Sequence, residues 1–276
     1  MGKTRAKDHH AGLSLPLIII SGVIGAVLVA GTVFALRFIT DAHSPSLRNS
    51  QRHFEKGRYE EALSVIEKVS SNSRSAVDKY ILRAEILLAI LYQQLQEEQW
   101  ASYGTDPDNW IPSPLASDAE QGLLSALAID PHNRDALFVL GTLYKKQGRF
   151  ENALRKLRSL TDHYPQDVEA IVSLGILFAN MEQYSSAEKY LRLGWELDDE
   201  HPRIAKNLAF LYRYHKEMPE SSMVWLNRFL NLDPKRDLDV NTARRELEDL
   251  IDRYPEFTLP DPQSWREKGR RFTPRF

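Results

Sequence analysis

Apolar residues recur three and four positions apart through most of the chain after residue 40, which is the spacing of one face of an α-helix. No segment sustains the two-residue alternation that is typical of a half-buried strand. The pattern therefore predicts an all-α body. It changes between residues 13 and 36, where no charged residue interrupts a continuous apolar stretch.

The stretch from Leu13 to Leu36 predicts one N-terminal transmembrane helix that contacts the lipid bilayer. At about 1.5 Å per helical residue it is longer than the roughly 30 Å hydrocarbon core. Lys3, Arg5 and Lys7 precede it, and the positive-inside tendency then keeps the N-terminus in the cytoplasm. A cleaved signal peptide is the competing interpretation, and it also exports the body.

The predicted span has a face of small residues, since Gly22, Ala26 and Ala30 follow one another at four-residue spacing. Small residues let two membrane helices approach closely, so this face is a candidate for helix–helix association. The alternative is the ordinary small-residue content of a membrane helix. The expected division is a head over 1–12 and an anchor over 13–39.

The body repeats itself with a period of about 34 residues. Residues 134–167 align without a gap on residues 168–201. The matched pairs are Leu140 with Leu174, Gly141 with Gly175, Tyr144 with Phe178, Phe150 with Tyr184, Ala153 with Ala187 and Leu157 with Leu191.

This pattern resembles the tetratricopeptide repeat, in which a small residue, an aromatic three positions later, an aromatic in the turn and an alanine in the second helix recur. The resemblance implies a right-handed helical solenoid over 40–254, with about five helix pairs and a polar-faced capping helix over 239–253. An aromatic loop over 97–114 interrupts the second pair. In the last full repeat, Pro219 is expected in a turn that is one residue longer than the others.

Composition excludes several kinds of chemistry. The chain has no cysteine, and its 36 Lys and Arg residues nearly balance 38 Asp and Glu, without the basic excess of a nucleic-acid binder. The spacings of a nucleophile elbow, a phosphate-binding glycine loop and a paired-histidine zinc helix do not occur. We therefore expect no enzyme activity, no metal, no cofactor and no nucleic-acid partner.

The resemblance places a partner-binding groove along the first helices of successive repeats. Such a groove, with apolar and cationic residues, suits a peptide or helix that carries apolar and acidic side chains. The alternative is that the apolar members pack between helices and the cations form a solvated face. The implied groove residues are Phe138, Thr142, Lys145, Lys146, Val172, Ile176, Asn180, Lys206, Phe210, Arg213 and Tyr214.

Two further segments are candidate protein contacts. The loop over 97–114 carries aromatic residues that either anchor an interface or fold back over a helix pair. The tail over 255–276 is basic and aromatic, and it either docks on an acidic surface or is disordered. The candidate contacts are Trp100, Tyr103, Trp110 and Ile111 in the loop, and Trp265, Arg266, Arg270, Arg271, Phe272 and Phe276 in the tail.

The architecture is similar to that of bacterial inner-membrane proteins with a single span and a periplasmic repeat solenoid. This similarity predicts a scaffold or assembly factor that recruits or holds components of a membrane or envelope complex. Two alternatives remain: a permanent structural subunit of such a complex, and an import-receptor-like protein whose solenoid faces the cytosol.

Overall fold

The computed structural model describes residues 45–69, 75–94, 113–232 and 240–260 of the chain. Within these ranges the regular structure consists of eleven α-helices and includes no strand. The helices are α1 Pro45–Glu55, α2 Tyr59–Glu67, α3 Ala76–Gln94, α4 Pro114–Ile129, α5 Arg134–Lys146, α6 Phe150–His163, α7 Val168–Asn180, α8 Tyr184–Leu197, α9 Pro202–Tyr214, α10 Pro219–Asn231 and α11 Val240–Arg253.

The helices stack as consecutive pairs. Each odd-numbered helix from α1 to α9 packs against the helix that follows it, and each second helix also packs against the first helix of the next pair. The first helices contact one another in order, from α1 to α3 and on to α9, while α11 closes the array on α10. The all-helical solenoid and its closing helix, both expected from the repeat, are confirmed.

The predicted transmembrane helix and its small-residue face lie outside the described residues. Among the described helices, none combines the length and the apolarity that crossing a bilayer requires.

Two glycines set the distance between the helices of their pairs. A Cβ atom added to Gly141 would lie 2.9 Å from Leu157 Cγ, and one added to Gly175 would lie 2.8 Å from Leu191 Cγ. Both distances are shorter than carbon–carbon van der Waals contact. These glycines therefore permit a close approach of α5 to α6 and of α7 to α8.

Prolines mark the ends of two helices. Helix α6 ends at His163, two residues before Pro165, because a proline ring cannot continue the helical hydrogen-bond ladder. The prediction that Pro219 lies in a turn is wrong: it is the first residue of α10, where its missing N–H is no loss. The additional residue lies in the turn itself, in which Glu217 has a φ of 50°.

Tyrosine–carboxylate hydrogen bonds join successive pairs. The Tyr144 hydroxyl donates to Glu120 Oε1 at 2.8 Å, and the Tyr212 hydroxyl donates to Glu188 Oε1 at 2.5 Å. Arg149 binds the other oxygen of Glu120 at 2.7 Å. These contacts link the second helix of one pair to the first helix of the next and fix how the pairs stack.

Candidate protein-binding face

The first helices α3, α5, α7 and α9 form a continuous layer, and their outward surface is the place where the repeat resemblance puts a partner. We call this surface the first-helix face. Its most regular feature is a row of charged residues near the start of each first helix. The row consists of Asp78, Asp135, Glu169 and Arg203.

The structure divides the groove residues that were predicted from the sequence by their exposure. Asn180 is exposed; Phe138, Thr142, Lys146, Arg213 and Tyr214 are partly exposed; Lys145, Val172, Ile176, Lys206 and Phe210 are buried.

Two of the buried residues turn toward the second helices. Val172 has an exposed fraction of 0%, and its Cγ2 atom would be 3.2 Å from a Cβ atom at Gly194 of α8. The Lys206 ammonium lies 5.9 Å from the ring centroid of Phe229 in α10. Val172 packs between helices, which is the alternative that the sequence left open for the apolar members, so in this conformation a partner on the first-helix face does not touch it. Lys206 is also buried, with an exposed fraction of 4%, although that alternative placed the cations on a solvated face.

The C-terminal end of the predicted groove is held by the closing helix. Arg213 contacts Glu246 Oε2 at 3.2 Å and Asp249 Oδ2 at 3.1 Å, and the Tyr214 hydroxyl donates to Glu246 Oε1 at 2.7 Å. These side chains attach α9 to α11. The charge of Arg213 is therefore already matched within the solenoid.

The N-terminal half of the face is acidic. Burial, and then the charge of Asp135, raises the pKa of Glu85 to about 8. Burial raises the pKa of Asp135 to about 6; Arg134 opposes this shift, while Asp167 and Asp78 add to it. Arg134 bridges two of these carboxylates, at 3.1 Å from Asp135 and 2.6 Å from Asp167.

The next part of the face is basic around Lys145. Burial lowers the pKa of Lys145 to about 7, with further lowering by Lys146 and Arg203 and opposition from Glu169. Burial also lowers the pKa of Lys146 to about 8. Burial on its own would raise the pKa of Glu169, but Arg203 and His201 hold it at about 2. Glu169 is hydrogen-bonded to Arg203 and, at 3.1 Å, to His201.

Sequence reasoning missed Glu85, Asp135, Glu169 and Arg203. The signal was present, because Asp135, Glu169 and Arg203 follow one another at the repeat period. Glu85 follows Ala84, the small residue of α3, just as the predicted groove residue Thr142 follows Gly141, the small residue of α5. Extending the alignment to the second position of α5, α7 and α9 and to the third position of α3 would have identified the charged row.

The loop candidates Trp100, Tyr103, Trp110 and Ile111 and the whole set of tail candidates lie outside the described residues. In the described part of the chain, no group of three or more His, Asp or Glu side chains could hold a metal ion. The site is therefore described by the charges and apolar residues of the first helices.

The stacked helix pairs and their layer of first helices define a helical-repeat solenoid. The tetratricopeptide repeat family model matches residues 116–174 and 145–211, so this part of the chain is similar to that family. No curated protein sequence matches the chain.

Solved structures share the fold. MamA, residues 41 to the end, from Desulfovibrio magneticus RS-1 is 18% identical with a TM-score of 0.51, and the match covers 71% of this chain and 99% of that one. A crystal structure of MamA is 14% identical with a TM-score of 0.53, covering 71% and 98%. TTC0263, a thermophilic repeat protein of Thermus thermophilus, is 18% identical with a TM-score of 0.52, covering 75% and 97%. At these identities the likeness concerns the fold alone.

Proposed function

We propose that the chain is a membrane-anchored scaffold or assembly factor that holds protein components of a membrane or envelope complex on its first-helix face. Tetratricopeptide repeats generally mediate protein–protein interaction. One observation supports the proposal most directly: the face contains Glu85 and Lys145, two charge-bearing side chains with strongly shifted pKa values. Burying such groups destabilises a fold, and such groups cluster at functional sites.

The partner that suits this face is a peptide or helix with apolar and acidic residues. Phe138 and the partly exposed stem of Lys146 supply apolar contact area, while the ammonium groups of α5 attract carboxylates. Phosphates of nucleic acid are a poorer match, because the carboxylates of Asp78 and Asp135 lie on the same face.

The proposed location follows from the sequence of the N-terminus. Residues 13–36 would span a bacterial inner membrane, with the N-terminus in the cytoplasm and the solenoid in the periplasm. Protease added to spheroplasts should degrade the solenoid and leave the head protected. A solenoid that stays intact until the membrane is permeabilised would refute this topology.

Affinity purification of the full-length chain from native membranes, after brief crosslinking, tests the binding role. We expect Lys146→Glu on the first-helix face to reduce recovery of co-purifying proteins at least several-fold. The matched control is Lys189→Glu, an exposed position of α8. Equal recovery with both variants would argue against the first-helix face as the binding surface.

The same preparation separates a transient adaptor from a permanent subunit. An adaptor should be extracted by mild detergent mostly alone, because transient interfaces are small and readily dissociated. A stoichiometric assembly that survives detergent without crosslinking would instead favour the structural-subunit alternative.

A further inference from the structure

The outer surface of α8, which is a second helix, exposes two large apolar side chains. Leu193 and Leu197 have exposed fractions of 39% and 43%, and they are four residues apart. Residues at this spacing are neighbours on one helix surface. Lys189, one turn earlier on the same surface, is exposed as well. We call the surface formed by Leu193 and Leu197 the α8 patch.

The C-terminal end of α8, next to this patch, is acidic. Glu196 precedes Leu197, and Asp198, Asp199 and Glu200 follow it. The last turn of α8 contains no basic residue, although a helix C-terminus favours cations and disfavours carboxylates. Within the described ranges, Glu196, Asp199 and Glu200 form no ion pair. The α8 patch is therefore apolar surface bordered by negative charge.

The last described residues lie close to the α8 patch. After α11 the chain returns to α10, where the Asn227 side chain donates a hydrogen bond to the Pro260 carbonyl at 3.5 Å. The next residue, Arg228, faces α8, since its guanidinium lies 5.3 Å from the ring centroid of Trp195. Burial lowers the pKa of Arg228 to about 10, and the negative charge of Asp199 opposes this shift. Pro260 therefore lies on the helix that adjoins α8 and its acidic end.

The residues that follow Pro260 have a composition complementary to the α8 patch. Residues 261–276 contain five Lys and Arg residues against two Asp and Glu residues, together with three aromatic rings. At about 3.3 Å per residue, Trp265 can extend up to about 17 Å from Pro260 and Phe272 up to about 40 Å. A helix with its side chains is about 10–12 Å wide, so both rings can reach α8 across α10.

We propose that residues 261–276 dock on the α8 patch of the same chain. Aromatic rings of this tail would cover Leu193 and Leu197, while its arginines bind the carboxylates at the C-terminal end of α8. A short flexible tether holds a segment at a millimolar effective concentration, which favours the same chain over a second copy. The inference concerns a surface of the second helices, so it goes beyond the proposed function and does not depend on it.

The distance between the tail and α8 tests the proposal in the full-length chain. The sequence has no cysteine, so two spin labels can be introduced, at Lys189→Cys beside the patch and at Thr273→Cys in the tail. Pulsed dipolar electron paramagnetic resonance in neutral detergent should give one narrow distance distribution. An undocked tail would instead spread the label over roughly 20 Å, the root-mean-square length of a flexible chain from Pro260 to residue 273. A distribution of that breadth would overturn the proposal.

The apolar contact is tested by replacing both exposed leucines. Leu193→Ser combined with Leu197→Ser should lower the docked fraction by about threefold or more, because the aromatic rings lose the apolar surface that they cover. The matched control is Leu124→Ser, since Leu124 of α4 has an exposed fraction of 42%. Circular dichroism of each variant measures whether the solenoid stays folded. A folded double variant that keeps the narrow distribution would contradict the α8 patch as the docking surface.

The charged contact is tested by reversal and rescue. Arg270→Glu combined with Arg271→Glu should lower the docked fraction about threefold or more, whereas Arg155→Glu, at an exposed position of α6, should not. Adding Glu196→Lys and Glu200→Lys to the reversed tail should restore docking, because opposite charges then face each other again. A reversal without effect, or a rescue that fails, would refute the acidic end of α8 as the partner of the tail.

Other occupants of the patch and other partners of the tail give different results. A short distance between chains labelled only at Lys189→Cys and chains labelled only at Thr273→Cys would assign the tail to a second copy. A doubly labelled chain that is broad in neutral detergent and narrow only in vesicles with phosphatidylserine would assign the tail to an anionic lipid surface. Either result would overturn docking within one chain, which predicts the same narrow distribution in both media and no short distance between mixed chains.

Discussion

Replacing Lys145 by methionine should stabilise the protein, although most changes of buried residues destabilise. Methionine keeps most of the apolar stem and removes the ammonium, which has no hydrogen-bond or ion-pair partner among the described residues. The folded state no longer has to desolvate a charge, while the unfolded chain loses little. The variant should therefore be more stable than wild type near neutral pH.

The magnitude follows from the pKa shift. Burial and two neighbouring cations lower the pKa of Lys145 from 10.5 to about 7. At 1.36 kcal/mol per unit, the largest possible penalty is about 5 kcal/mol. Small movements of a long side chain toward solvent reduce such penalties, so we expect a gain of about 1 to 3 kcal/mol at pH 7.

The sign of the pH dependence is fixed. Between pH 7 and 10.5 the unfolded chain binds a proton at this lysine that the folded chain does not, so wild-type stability from this group rises with pH in that window. The gain in the free energy of unfolding that Lys145→Met produces should be complete below pH 7 and should vanish as pH approaches 10.5. Urea unfolding followed by circular dichroism across this range, with Lys189→Met as control, measures it. A less stable variant, or an advantage that does not change with pH, would refute the reasoning.

Further predictions concern helix packing and the repeat junctions. Gly175→Ala should lower stability by about 1 to 2 kcal/mol despite its better helix propensity, because the new Cβ would lie 2.8 Å from Leu191 Cγ and 3.2 Å from its backbone nitrogen. Gly122→Ala, whose nearest atom is at 3.4 Å, should instead stabilise by up to about 1 kcal/mol in the same thermal melts; equal effects would contradict the packing argument. Tyr212→Phe should cost about 1 to 2 kcal/mol in urea unfolding, because it removes the hydrogen bond to Glu188, and a neutral result would count against that bond. Burial alone would raise the pKa of Glu188, but hydrogen bonds lower it from 4.5 to about 2, so stability should fall as pH drops through this range, and Glu188→Gln should remove that part of the acid dependence.

The helix pairs were predictable because their information is local and repeated. Gly141 and Gly175 each meet a leucine of the following helix at the repeat spacing, and the two segments align without a gap. The last repeat was predicted less well, since a single added residue shifts the register. The sequence does not say whether that residue lengthens the turn or moves Pro219 into it. The structure has Pro219 at the start of α10, because proline is favoured at the first position of a helix.

The exposure of individual residues on the first-helix face was less predictable than the fold. Family positions place Val172 and Lys145 equally in the groove, yet Val172 packs toward α8 while Lys145 faces the charges of α7 and α9. The direction of a side chain depends on how adjacent helices cross, and a repeat pattern contains no measure of that angle. The charged row from Asp135 to Arg203 could have been found in the sequence. The ion pairs within it could not, because Glu169 is bound by Arg203 of the next first helix, α9, and by His201, the residue that caps that helix.

Some charged groups of this solenoid have partners within the fold, and Lys145 does not among the described residues. At the junctions, two partly buried carboxylates have matched donors: Glu120 binds Tyr144 and Arg149, and Glu188 binds Tyr212. Such groups can be buried because their hydrogen bonds offset the loss of solvent. Lys145 has no such offset among the described residues, although it lies in the same stack of helices. In the described part of the chain, polar groups that are satisfied at the junctions and a lysine without a partner on the first-helix face are the arrangement expected if a partner binds that face, as we propose.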